Sequence, residues 1–157
     1  MQKMRESDKQ KKLAFILAFF VLLSDQLSKY VVVKCLDIGD SVSVLSFFNI
    51  TRVANKGISF GMLSNVIQPI VLVLISLLIV FGVFIWTKKN MSYILPSCLI
   101  ISGAIGNIID RVIDKAVIDF LDFHIYGYHW PAFNIADTSI VIGVCILFFV
   151  SYVEEKL

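Results

Sequence analysis

Asp119 and Asp137 stand at the two ends of a short, mostly polar segment between the third and fourth strongly apolar stretches of the chain. Each is set in a tight motif, Val117-Ile118-Asp119-Phe120 and Phe133-Asn134-Ile135-Ala136-Asp137. Carboxylates beside membrane-length apolar sequence are costly, so two of them there point to chemistry. An aspartyl protease site is the first expectation.

Other polar residues are spaced to meet. Asp25 and Lys29 are four apart and share one helix face, where opposite charges neutralise each other in a low dielectric. A pair that only orders the helices and a pair that touches substrate both fit this spacing. Gly103, Gly106, Asn107, Asp110 and Arg111 recur at offsets of three and four, a small-residue face ending in an amide, an acid and a guanidinium. The glycines read as close helix packing. Asn107 and Arg111 need acceptors, which a substrate backbone or a phospholipid head group would supply.

Two alternative chemistries fail on context. Gly57-Ile58-Ser59-Phe60-Gly61 has the Gly-x-Ser-x-Gly form of a serine hydrolase elbow, with His124 and His129 as candidate bases. That elbow needs a large sheet alternating with helices, and this chain has none. Both histidines fall in a connecting loop beside Tyr126, Tyr128 and Trp130, the composition of an interfacial aromatic belt. There is no His-Glu-x-x-His, so no metal is expected. Cys35, Cys98 and Cys145 form no Cys-x-x-Cys pair, and the two inside apolar runs read as small hydrophobes.

The elements that must carry these residues follow from composition. With 157 residues, 58% of them hydrophobic, and a mean hydropathy of +0.85, the chain has one domain's length and more apolar surface than a soluble domain buries. An all-α integral membrane fold is expected, with four spans near 13–33, 69–86, 93–109 and 138–153. A net charge of +2, with the basic residues gathered at the N-terminus, implies no nucleic-acid partner. Lys3, Arg5, Lys9, Lys11 and Lys12 before the first span, and Lys88 and Lys89 between the second and third, place both termini in the cytoplasm. The first span resembles a secretory signal but lacks a small-x-small cleavage site, so it is expected to remain as an anchor. The outer connections, 34–68 and 110–137, are long and polar. Within the first, residues 40–51 alternate and are rich in Val, Phe and Ile, which predicts one or two short strands of a small extracytoplasmic β element before the turn at Gly57 to Gly61.

Taken together, Asp25-Gln26-Leu27-Ser28-Lys29, Asn55-Lys56-Gly57-Ile58-Ser59-Phe60-Gly61, Gly103-Ala104-Ile105-Gly106-Asn107-Ile108-Ile109-Asp110-Arg111 and the two aspartate motifs resemble lipoprotein signal peptidase, the bacterial signal peptidase II. The resemblance covers Leu13 to Val153. It implies an aspartyl endopeptidase of the bacterial inner membrane, facing outward, that cuts prolipoproteins just before a diacylglyceryl-bearing cysteine. Asp119 and Asp137 match its catalytic dyad, one carboxyl neutral as acid and the other a base for water. By the same match Asn55, Gly57, Asn107, Arg111 and Asn134 hold the substrate, and Asp25, Lys29 and Asp110 brace the site. No cofactor, no covalent intermediate and an essential role for neither Ser28 nor Ser59 are implied; a monomer in contact with membrane lipid is expected. The rival is a small proton-coupled transporter using the same aspartates. It requires protonatable groups spread through the depth of the bilayer, and the second and fourth spans have none at mid-depth.

Overall fold

Long apolar runs in a bilayer settle into helices, because a helix satisfies every backbone N–H and C=O within the segment. The computed structural model describes residues 2–57 and 68–156. Its helices are α1 (Gln2–Cys35), α2 (Pro69–Lys89), α3 (Ile94–Ile113, entered through a 3-10 turn at Met91–Tyr93) and α4 (Ile135–Glu155). All four are long and apolar enough to cross a membrane. Proline at the start of α2 and Lys88 and Lys89 in its last turn suit the two ends of a helix. With 21 residues, α2 is about 31 Å long, the thickness of a hydrocarbon core.

Helix α3 is the centre of the bundle, packed on α1, α2 and α4. Its glycines make this possible. A Cβ at Gly103 would collide with Ala136 O and Ser139 Oγ of α4, and one at Gly143 would lie 2.8 Å from Ile100 Cγ1 and Pro96 O of α3. At Gly106 the neighbour is a side chain of α1. A Cβ there would sit 2.7 Å from Asp25 Oδ2, so the bare backbone makes room for a buried carboxylate.

Among the described residues, four antiparallel strands form one small sheet in the order β1 (Ser41–Leu45), β2 (Phe48–Asn55), β3 (Val117–Ile125) and β4 (Tyr128–His129). Strands β1 and β2 fall where alternation predicted them. Strand β3 does not: residues 110–137 were expected to be a mostly polar connection, yet Val117 through Phe120 are buried. Val32, Ile118 and Phe120 form an apolar cluster with Leu36, Ile50, Ala54, Leu121 and Ile135, which roots the sheet on α1 and α4. His124 and His129 are likewise corrected from a loop to paired positions on β3 and β4. Their two-residue turn, Tyr126-Gly127, has φ of 48° and 81°, the double left-handed conformation that matches strand twist in a tight hairpin. Arg52 on β2 donates from Nη1 to Leu36 O (2.7 Å) and Val33 O (3.3 Å), satisfying carbonyls at the C-terminal end of α1.

Helix α3 runs on through Asp110 and Arg111, whose side chains find partners inside the protein, and α4 begins early enough to include Asp137 in its first turn. Gly57 occupies a bend, whereas Ser59 and Gly61 of the Gly-x-Ser-x-Gly run lie outside the described residues.

Candidate active site

Asn134 is the residue around which the two aspartates are arranged. It is the N-cap of α4, with extended backbone (φ −134°, ψ −177°) and no exposed surface. Its Oδ1 accepts from the Asp137 N–H at 2.8 Å, and Asp137 Oδ2 accepts from the Asn134 N–H at 3.3 Å, a reciprocal capping box. This leaves the Asn134 amide nitrogen free to donate to Asp119 Oδ1 at 2.7 Å, from the end of a helix to a strand. One side chain therefore starts α4 and binds both carboxyl groups.

The remaining carboxylate oxygens are held in the same way. Asn55 Nδ2 donates to Asp119 Oδ2 at 2.9 Å, and its orientation is fixed because Asn55 Oδ1 accepts from the Gly57 N–H at 3.0 Å. Asn107 Nδ2 donates to Asp137 Oδ1 at 2.8 Å, while its Oδ1 accepts from Lys29 Nζ at 3.0 Å and Asn134 Nδ2 at 3.3 Å. Every oxygen of the two carboxyls accepts at least one N–H.

Beneath this lies a buried ionic cluster. Lys29 Nζ is 2.8 Å from Asp25 Oδ2 and 2.7 Å from Asp110 Oδ2, with all three side chains nearly inaccessible. Asp25 Oδ1 also accepts the Ala136 N–H at 2.8 Å, so a carboxylate from α1 sits at the positive end of α4. Gln26 extends the cluster, donating to Asp110 Oδ1 (3.0 Å), Asp25 Oδ2 (3.1 Å) and Gly106 O (3.3 Å). Arg111 Nη2 donates to Gly57 O at 3.2 Å, and its Nη1 to Asn107 O at 3.4 Å. All ten residues singled out from sequence meet in this one network. Gln26 was missed as a participant; an amide in an apolar span, three positions from Lys29 and hence on its face, was the available signal.

Asp119, Asp137, Asn55, Asn107 and Arg111 line one cavity of about 630 Å³. Most of its other lining is apolar: Ile100 and Ala104 lie two turns and one turn before Asn107 on α3, and Ile140, Val141 and Ile142 follow Asp137 on α4. Trp130, Pro131, Ala132 and Phe133 close another side, but neither histidine reaches it. Burial pushes the Asp119 carboxyl up to about 6; the negative charge of Asp137 adds to this, against hydrogen bonds from Asn55 and Asn134 and the attraction of Lys29. A carboxyl that keeps its proton up to about pH 6, beside a second carboxyl at the polar end of an apolar cavity, is equipped for acid-base chemistry.

A family model described as signal peptidase (SPase) II matches residues 17–153, a stretch that holds this whole network. The chain belongs to the signal peptidase II family. It is 40% identical over 144 residues to the lipoprotein signal peptidase of Syntrophotalea carbinolica, covering 88% of this chain and 89% of that one. With the lipoprotein signal peptidase of Thermodesulfovibrio yellowstonii the identity is 41% over 126 residues, covering 80% and 85%. Two solved structures of bacterial membrane enzymes, obtained by the in meso method, are similar in fold. One has a TM-score of 0.81 at 35% identity, covering 92% of this chain and 90% of that chain. The other has a TM-score of 0.78 at 34% identity, covering 88% and 91%. A multi-pass membrane peptidase of the signal peptidase II family is thus the setting for the Asp119 and Asp137 network.

Proposed function

We propose that this chain is an aspartic endopeptidase of the bacterial inner membrane that removes the signal peptide from prolipoproteins whose cysteine carries a diacylglyceryl group. The observation that carries the reading is Asn134, which caps α4 and gathers Asp119 and Asp137 at the polar end of an apolar cavity. In this mechanism Asp119 starts protonated and Asp137 ionised. Water oxygen adds to the scissile carbonyl carbon as Asp137 takes a water proton and Asp119 gives its proton to the carbonyl oxygen. The resulting gem-diol collapses when Asp137 passes its proton to the amine nitrogen, the C–N bond breaks, and Asp119 recovers a proton from a hydroxyl.

Asn55, Gly57, Asn107 and Arg111 hold the substrate backbone and its lipid-bearing cysteine, and Asp25, Lys29 and Asp110 brace the pair from below. Both termini are cytoplasmic, which puts the sheet and the site on the outer side, where the monomer meets lipid and precursor. Against a proton-coupled carrier, the buried carboxylates at Asp25, Asp110, Asp119 and Asp137 are gathered near the root of the sheet instead of being spaced along the helices. The deciding experiment is cleavage of a diacylglyceryl-modified precursor in detergent. Asp119→Asn and Asp137→Asn should each lose at least about 100-fold in rate while remaining folded, since an amide neither takes nor supplies the proton. Retention of a tenth of the wild-type rate by either variant removes that aspartate from the chemistry.

A further inference from the structure

Away from the network at the root of the sheet, a second group of titratable side chains crosses strands β2, β3 and β4. Asp122 is buried, and its carboxylate oxygens both lie 2.9 Å from His129 Nδ1, while Asn49 Nδ2 donates to Oδ2 at 2.9 Å. A carboxylate only accepts, so Nδ1 of His129 is the protonated nitrogen. His124, directly opposite His129 in the ladder, stacks on its ring with centroids 4.8 Å apart. Burial pushes the Asp122 carboxyl up, but hydrogen bonds from Asn49 and His129 and the charges of the two histidines more than reverse that and leave it below its ordinary value. A two-residue strand closed by a tight turn does not itself require a buried carboxylate.

The segment directly after His129 gives this pairing a consequence. Trp130 N–H makes a ladder bond to Phe123 O at 2.7 Å, and the chain next regains β3 at Phe133, whose N–H and C=O pair with Leu121. Between these pins Trp130, Pro131 and Ala132 form a cavity wall, and Pro131 has no N–H with which to hold it. His129 is the last residue before that wall begins.

Resting on the peptidase reading above, we propose that Asp122 and His129 are positioning residues: their contact is a clasp that fixes residues 130–133 as the wall against which the precursor is seated. The clasp touches no reacting atom. Its loss therefore changes how well substrate is held and leaves the chemical step alone.

The test compares wild type, His129→Phe and His129→Asn with the diacylglyceryl-modified precursor. Phenylalanine keeps the ring stack and removes the donor; asparagine restores an N–H near the position of Nδ1. KM should rise on the order of ten-fold in His129→Phe, the effect of losing one charge-assisted hydrogen bond, with kcat within about two-fold, and should return toward wild type in His129→Asn. In parallel, a Trp86→Phe background leaves Trp130 as the single tryptophan, and its quenching by acrylamide should change in His129→Phe and recover in His129→Asn. An unchanged KM, a fall confined to kcat, or no recovery with asparagine overturns the clasp. Wild-type enzyme that leaves the precursor uncut would sink the peptidase reading instead, while the Trp130 measurement still decides whether the clasp sets the wall.

Discussion

Asp119 and Asp137 are both aspartates in one cavity, but they are not equivalent. Asp137 belongs to the first turn of a helix, where backbone N–H groups point at it, whereas Asp119 lies on a strand between two amide side chains. Its carboxyl, raised to about 6 chiefly by burial, holds its proton at pH values where an ordinary aspartic acid has lost it. The protonated form is the active one in the proposed mechanism. As pH rises through about 6 the proton leaves, so kcat/KM should fall above that point, approaching ten-fold per pH unit. A flat profile from pH 5 to 8 would remove Asp119 as the acid. Asn134 allows a sharper separation of roles: Ser at this position keeps a cap oxygen for the Asp137 N–H but cannot reach Asp119. Asn134→Ser should keep the capped start of α4 and lose at least about ten-fold in cleavage, whereas Asn134→Ala should lose cleavage and be about 1 kcal/mol less stable than the serine variant. If the serine variant cleaves like wild type, the bridge to Asp119 is dispensable. Residue types and placement exposed Asp119 and Asp137 in the sequence, because carboxyls in an apolar chain are conspicuous, whereas Asn55 and Asn134 came only with the family resemblance. The pairing of Asp122 with His129 was not exposed, since an acid and a histidine seven apart reveal nothing until a hairpin folds them together.

At the scale of elements, α3 and α4 approach closely because glycines face the neighbouring backbone. A methyl group at Gly103 meets Ala136 O and Ser139 Oγ, in the first turns of the helix that carries Asp137. Gly103→Ala should therefore push α4 outward, cost about 1–3 kcal/mol, and reduce cleavage as well. Gly82→Ala on α2 meets nothing within 4 Å and should leave both unchanged. Unfolding and cleavage measured on the two variants check this; an unaffected Gly103→Ala protein would show that the contact has slack. The four spans were legible from hydropathy because their length and composition suffice. Strand β3 was not. Its buried half is only four residues long, Val117 to Phe120, with Asp119 among them, and its burial depends on Val32 of α1, on Leu36 just after that helix and on Ile135 of α4. Arg52 escaped notice for the same reason, since a basic residue in a strand reads as solvated until the end of α1 lies beneath it.

For the whole molecule, the charge pattern makes a claim about sidedness. Reporters fused near Asn90 and after Leu157 should be cytoplasmic, and those near Ser43 or Tyr126 external, because basic residues cluster at the start of α1 and at the end of α2. An external reporter at Asn90 would put the cavity's polar end on the wrong face for a lipid-modified precursor. The same connectivity bears on biosynthesis. Asp25 of α1 accepts an N–H from Ala136 of α4, 111 positions later, and Asn134 joins Asp119 to Asp137 only where α4 begins. Starting the last helix, seating it on the first, and pairing the carboxyls all depend on residues 134–137. A chain still emerging from the ribosome, with three helices already inserted, holds Asp119 beside Asn55 but without Asn134 or Asp137. In the proposed mechanism hydrolytic capacity therefore waits for α4, and a chain that stops short of this helix lacks one of the two carboxyls that the reaction needs.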